Sequence, residues 1–264
     1  MDAVELVLVQ ENGNSSLLKW QNMDDLYTIL LNALSADAVV RHPAETILVN
    51  MGGQPGFCKT MMGISMNPEV PVNVRLLGAI CLKTTVRKHW NKASVASDKE
   101  KSYVRGALLN SFSCPHKPIL MQMFDVVAGI VKNDLSAGNL ESIFPTLVDR
   151  SRVGKANVYV AVENVSPPQQ LLAEKHALQA LNCALKVNGY SGRIVAFLTT
   201  ILPRLIRDFF CHIRNALNIV NSLTCISAQT PAQLVLAMEI TKVNLKCIFH
   251  CVMAKNKTVA CNCT

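Results

Sequence analysis

The chain has 264 residues, half of them hydrophobic and 5% aromatic, and a net charge of +8. That length allows one large domain or a run of small repeats, and a Leu/Ala-rich, aromatic-poor apolar set favours helix-on-helix packing over sheet. The positive excess is thin, 11 basic against 5 acidic side chains over residues 54–135 and 13 against 6 over 136–264, with no dense Lys/Arg run or aromatic-interleaved basic patch, so nucleic acid is not expected as the primary partner.

Helical periodicity then dominates. Asp24 and Asp25 precede Leu26, Ile29, Leu30, Ala33 and Leu34, an acidic start followed by an i, i+3, i+4 stripe. A second helix is predicted to begin at Arg41-His42-Pro43, with Pro in its first turn, and to end at Gly52-Gly53. Gln54-Pro55-Gly56 makes a turn into a third helix over Phe57–Met66. A long fourth helix covers 72–90. Ser97-Asp98-Lys99-Glu100 opens a fifth, with Ser97 as N-cap and Glu100 at the capping-box spacing. Pro115 and Pro118 separate it from a sixth helix over 119–132, and Asn139 is predicted to cap a seventh. Residues 151–168 read as a linker in which 155–165 could be extended. Helices return over 169–187, over 193–223 with a kink expected at Pro203, and from Thr230-Pro231 to Met253.

Gly56, Asp98 and Asn139 open successive helix pairs, 42 and 41 residues apart. A helix-pair period of about 40 is the signature of HEAT or armadillo repeats, in which each pair buries its apolar faces only by stacking on its neighbours. The predicted fold is all-α, an α-solenoid of HEAT/armadillo-like helix pairs in a right-handed superhelical stack. Its predicted parts are an N-terminal extension (1–22), repeats (23–150), the linker (151–168), further HEAT-like helices (169–253) and a disordered tail (254–264).

The acidic opening residues Asp2 and Glu5 lead to no expectation of a secretory leader, and no apolar run suggests a membrane span. The ten cysteines are then expected to be reduced and to behave mostly as small hydrophobes. Cys247, His250, Cys251, Cys261 and Cys263 raise a zinc reading, but the terminal C-x-C lacks the usual knuckle spacing and no metal is expected. No phosphate-binding Gly-rich loop, nucleophile elbow or His-Glu-x-x-His occurs, and neither Cys58 nor Cys114 has a base identifiable from sequence. An enzyme is not expected, and no cofactor is.

The order Arg41, Ala44-Glu45, Gly56-Phe57, Asn73-Val74-Arg75, Leu82-Lys83, Trp90, Glu100-Lys101 and Arg105 resembles the N-terminal domain of importin-β-type nuclear transport receptors, the karyopherins. The Gln54-Pro55-Gly56-Phe57 turn and its spacing to Trp90 look most like the importin-11 branch. Ile143-Phe144-Pro145-Thr146-Leu147 resembles the helix after the third repeat. The resemblance implies a monomeric α-solenoid that binds Ran-GTP through its N-terminal repeats, meets Phe-Gly nucleoporins and protein cargo, and moves between nucleus and cytoplasm across the nuclear envelope. Ran, not the receptor, performs the nucleotide hydrolysis. Three features depart from the family. Ser136-Ala137-Gly138-Asn139-Leu140 stands where Pro and Trp are usual, the chain is basic, and it is far shorter than such receptors, as expected of a truncated form or fragment.

Within the fourth helix, Arg75, Lys83 and Arg87 follow at steps of four or eight along one drifting edge, with Lys88 on the adjoining face. With the resemblance they become candidate Ran contacts, together with Arg41 and Glu45. By spacing alone the same residues fit a solvated face with an ion pair inside the repeat, and Arg41 with Glu45 fits a simple i, i+4 pair. Trp90 is expected as a core plug closing its helix, and Phe57 and Pro145 as structural positions. A protein-binding HEAT scaffold without Ran or cargo remains the alternative.

Overall fold

The computed structural model describes residues 23–136, 143–150, 167–186, 192–222 and 232–261. The predicted extension at 1–22, the helix cap at Asn139, the linker at 151–166 with its extended stretch, and the end of the tail at 262–264 lie outside those residues. Among the described residues all regular elements are helical. They form two compact units, 1–51 and 52–264, so the division falls inside the predicted 23–150 repeat region.

The first unit is a helical hairpin of α1 (Met23–Ala33) packed on α2 (Ala38–Met51). Of the predicted stripe, Leu26, Leu30 and Ala33 are buried, Ile29 is half-buried, and Leu34, just past the end of α1, is exposed. Helix α2 begins earlier than the sequence suggested. The Asp37 carboxylate accepts a 2.9 Å hydrogen bond from the Val39 amide, which caps the helix there. Pro43 therefore lies inside the helix instead of in its first turn, and its missing N–H leaves the carbonyl one turn back without an intrahelical donor.

The second unit holds α3 (Phe57–Met66), α4 (Val72–His89), α5 (Asp98–Asn110), α6 (Lys117–Ser136), α7 (Ile143–Arg150), α8 (Pro167–Leu185), α9 (Gly192–Ser222) and α10 (Ala232–Cys261), with a short 3-10 turn at Ser111–Ser113. Helix α3 packs on α4, α7 on α8 and α9 on α10, while α4, α6, α8 and α10 pack in succession and α3 packs on α5. This is the two-layer stacking of HEAT-like helix pairs. Gly129 lets α6 approach α4 closely, since a Cβ there would lie 3.1 Å from Cγ1 of Val86. The core of this layer includes Leu82, Val86, Val126 and Ile130, all fully buried. Helix α10 continues to Cys261, eight residues beyond the predicted end at Met253, because no Gly or Pro intervenes to stop it. Helix α9 runs through Pro203 as one element.

Buried histidines make this fold acid-sensitive. His212 on α9 is 2% exposed and its Nε2 has no hydrogen-bond partner among the described residues. Burial pushes its pKa down from 6.5 to about 4. Burial also lowers His176, which a hydrogen bond to the Phe112 carbonyl offsets in part. Between about pH 6.5 and 4 the unfolded chain binds more protons than the folded one, so stability falls as pH drops through that window. The urea midpoint is expected to be lower near pH 5 than near pH 7, with a flatter dependence in His212→Leu. An unchanged slope in that variant would show that His212 carries none of it.

Candidate functional site

The Gln54–Pro55–Gly56 turn delivers the chain into α3 through Gly56, whose φ of 84° is left-handed. Glycine adopts this at no steric cost, whereas Gly56→Ala is expected to lower stability by about 1–2 kcal/mol in denaturant titration. Gly56 has no side chain to cap α3. Glu100, from α5, supplies the cap instead. Its carboxylate accepts from the Gly56 amide at 2.9 Å and the Lys59 amide at 3.0 Å. This places a negative charge at the positive end of α3. Ser97 caps α5 as predicted, accepting from the Glu100 amide at 3.3 Å, but the Glu100 side chain reaches across to the neighbouring repeat and does not complete its own capping box.

Cys58 is buried beside this cap. Burial, then the nearby Glu100 charge, pushes its thiol up to about 12. Burial pushes Cys251 up to about 12 as well. Neither supplies a thiolate near neutral pH, and both are expected to resist iodoacetamide until the chain is unfolded. Mapping alkylation by mass spectrometry before and after denaturation checks this. Cys247 is also buried, donating from Sγ to the Leu178 carbonyl at 3.6 Å. The Cys261 side chain and Cys263 lie outside the described residues.

The edge of α4 divides in the structure. Each step of four along a helix overshoots a full turn by about 40°, so the row rotates by about 120° between Arg75 and Arg87. Arg75, at 5% exposure, faces inward. Its Nε donates to the Ser65 carbonyl at 3.0 Å and its Nη2 meets Cys114 Sγ at 3.7 Å. Arg75 thus satisfies a carbonyl in the last turn of α3, and its predicted place on an exposed basic edge is corrected: it positions α3 against α4. Lys83 is partly buried, donating to Gln122 Oε1 and lying 3.5 Å from Asp125. Arg87, 55% exposed, lies 3.9 Å from the same carboxylate. Lys88 is exposed and makes no ion pair among the described residues. The edge therefore presents one anchored lysine, one loosely held arginine and one lysine open to a partner. Partly exposed ion pairs contribute at most about 1 kcal/mol, so a partner's carboxylate could displace Asp125 at little expense.

Helix α4 ends on Trp90, 1% exposed. Its indole Nε1 donates to Asp134 Oδ1 at 2.8 Å. Arg105 holds both oxygens of Asp134, at 2.9 and 2.8 Å, and its guanidinium stands 5.5 Å from the Trp90 ring centre. Asn133 donates to the Val86 carbonyl at 3.0 Å. One buried carboxylate thereby ties α4, α5 and α6 together behind the basic edge. Asp134 lies in the last turn of α6, where the helix dipole disfavours a negative charge. Arg105 compensates it. Phe57 is likewise buried, as expected. Pro145 falls at the third residue of α7, where a proline lacks no needed donor.

In the first unit, Arg41 Nη1 donates to the Ser35 and Ala36 carbonyls at 3.1 and 3.2 Å, and its Nε lies 3.9 Å from Glu45. Glu45 also accepts from or pairs with His42 at 3.3 Å. The i, i+4 pair is formed, and Arg41 ties down the loop that joins α1 to α2.

Gln122, Asp125 and Asp134 were not among the residues picked out by sequence. Their signal is the repeat period. Lys83–Gln122 and Arg75–Cys114 are each separated by 39 residues, and Trp90–Asp134 and Glu100–Gly56 by 44. These pairs meet about one repeat apart, whereas Arg105 reaches Asp134 across 29 residues.

Residues 44–113 match the family model of the importin-beta N-terminal domain. Importin-11 of Mus musculus is 30% identical over 127 residues, 47% of this chain and 13% of that protein. Importin-11 of Homo sapiens is 28% identical over the same shares. The match thus spans about an eighth of either relative's length. A solved structure of Kap95p bound to RanGDP aligns with 90% of this chain and 30% of its own at 14% identity and a TM-score of 0.49, a likeness without functional weight. The glycine turn, the cross-repeat Glu100 cap and Trp90 itself lie inside the matched segment, while Asp134, which closes on Trp90, lies beyond it: over residues 44–113 the chain is similar to the importin-beta N-terminal domain, and over 127 residues to importin-11.

Proposed function

We propose that this chain is a nuclear transport receptor of the importin-β type, or the N-terminal part of one, that binds Ran in its GTP form through the 23–150 repeats and supports protein import into the nucleus. The observation carrying this reading is the importin-β N-terminal domain match over residues 44–113, with importin-11 relatives aligned over a stretch of 127 residues. Phe-Gly nucleoporins and protein cargo are its further partners, and it acts as a monomer passing between cytoplasm and nucleus at the nuclear envelope. No described helix is long and apolar enough to cross a membrane.

The geometry ranks the contact residues. Arg87 and Lys88 lead, because both are exposed. Lys83 joins by leaving Asp125. Arg41 and Glu45 act where α1 meets α2, and Arg75 acts through the placement of α4. The alternative, a HEAT scaffold that binds other proteins without Ran, is favoured by one observation: Lys83 and Arg87 are already paired inside the repeat through Asp125.

Arg87→Glu with Lys88→Glu separates the readings, because neither side chain is needed in the core. Titration of labelled Ran carrying a non-hydrolysable GTP analogue is expected to show roughly tenfold or greater weakening, with helicity by circular dichroism unchanged. Unaltered affinity would remove the α4 edge from the site.

A further inference from the structure

A groove of about 470 Å³ opens between α6, α8 and α10 of the second unit, and none of its lining residues belongs to the α4 edge. Lysines from all three helices line it: Lys117, Lys175, Lys242 and Lys246. Glu239 is the one acidic lining residue, and it pairs with Lys175. Lys117, Lys242 and Lys246 are exposed and make no ion pair among the described residues. Four cations against one anion leave an excess of three positive charges around the opening.

Between these charges the surface is apolar. Met121 of α6 and Leu172 of α8 are 47% and 40% exposed, and Val243 of α10 lies beside them. Deeper in, Leu120 and Phe124 are buried. His176 forms part of the wall and is held by the Phe112 carbonyl.

This chemistry selects an occupant. Spread over three helices, the lysines suit several separate carboxylates along a chain better than one multiply charged group. No arginine lines the groove, so the bidentate fork that favours phosphate is missing. Its two aromatic rings, Phe124 and His176, are both buried and packed edge to face, and offer no platform for stacking bases. A concave apolar floor suits inserted side chains and not a flat bilayer. We infer that the α6–α8–α10 groove is a docking site for an acidic peptide segment carrying Leu or Phe side chains, its carboxylates meeting Lys117, Lys242 and Lys246 and its apolar side chains covering Met121, Leu172 and Val243.

The probe is a short fluorescein-labelled peptide of Asp, Glu, Leu and Phe, titrated by anisotropy against the full chain without Ran. Saturable binding is expected. It should weaken roughly tenfold when the acids are replaced by their amides, when Leu and Phe are replaced by Ser, and in Lys242→Glu with Lys246→Glu, but not in Lys92→Glu. Lys92 is exposed and outside the groove. Raising the salt should weaken binding as the charges are screened. Absence of saturable binding, equal binding of the Ser peptide, tighter binding of a labelled single-stranded oligonucleotide, or no effect of the double variant would each overturn the proposal. Because Ran is absent from the assay, these outcomes are independent of those that test Ran binding.

Discussion

Trp90→Ala is expected to destabilise the chain by about 3–5 kcal/mol, the range for deleting a large buried aromatic. Two losses combine. The indole leaves a cavity at the end of α4, and Asp134 loses one of its donors. Asp134→Ala is expected to lower stability by about 3 kcal/mol, toward the lower end for a broken buried ion pair, since Arg105 keeps some access to water. It strands both the Trp90 N–H and the Arg105 guanidinium. Asp134→Asn retains an acceptor and should fall between wild type and alanine. In a double-mutant cycle Trp90 and Asp134 should couple by about 0.5–3 kcal/mol. Urea denaturation of the four proteins gives each quantity. Additive losses would show that the two side chains stabilise the junction independently.

Glu100→Ala is the second large effect, about 2–3 kcal/mol, because hydrogen bonds to a charged group are the stronger kind and both amides lie at a helix start with no other cap. Glu100→Gln should lie between the two. Its amide nitrogen cannot accept, so one of Gly56 and Lys59 is left facing a donor. The loss should also loosen α3 locally, read as faster hydrogen exchange at Gly56 and Lys59 than at residues of α6. Equal protection in wild type and variant would argue that the Gly56 turn holds α3 without Glu100.

Much of the scaffold was legible in the sequence. The bounds of α3, the Ser97 cap and the helix-pair period rest on local signals, glycine, proline and capping residues, that act within a few positions. Asp37 and Pro43 compete as opening signals for α2, and the Asp37 cap prevails, so the helix starts ahead of the proline. The site was less legible. Arg75, Lys83 and Arg87 share a helix row, but a row drifts, and only packing fixes where it passes from core to solvent. Asp125 and Asp134 belong to the following helix pair, so no window shorter than one repeat shows them beside Lys83 and Trp90. Read with the period in hand, an acid about one repeat after a basic or indole donor is the pattern to seek.

The most direct measurement is the affinity of the purified chain for Ran loaded with a non-hydrolysable GTP analogue against Ran loaded with GDP, by titration under one set of salt conditions. A receptor of this kind binds the GTP form at least about tenfold more tightly, because a partner shifts toward a nucleotide state only through its differential affinity for it. Equal affinity for the two forms, or binding to neither, would contradict the proposed function.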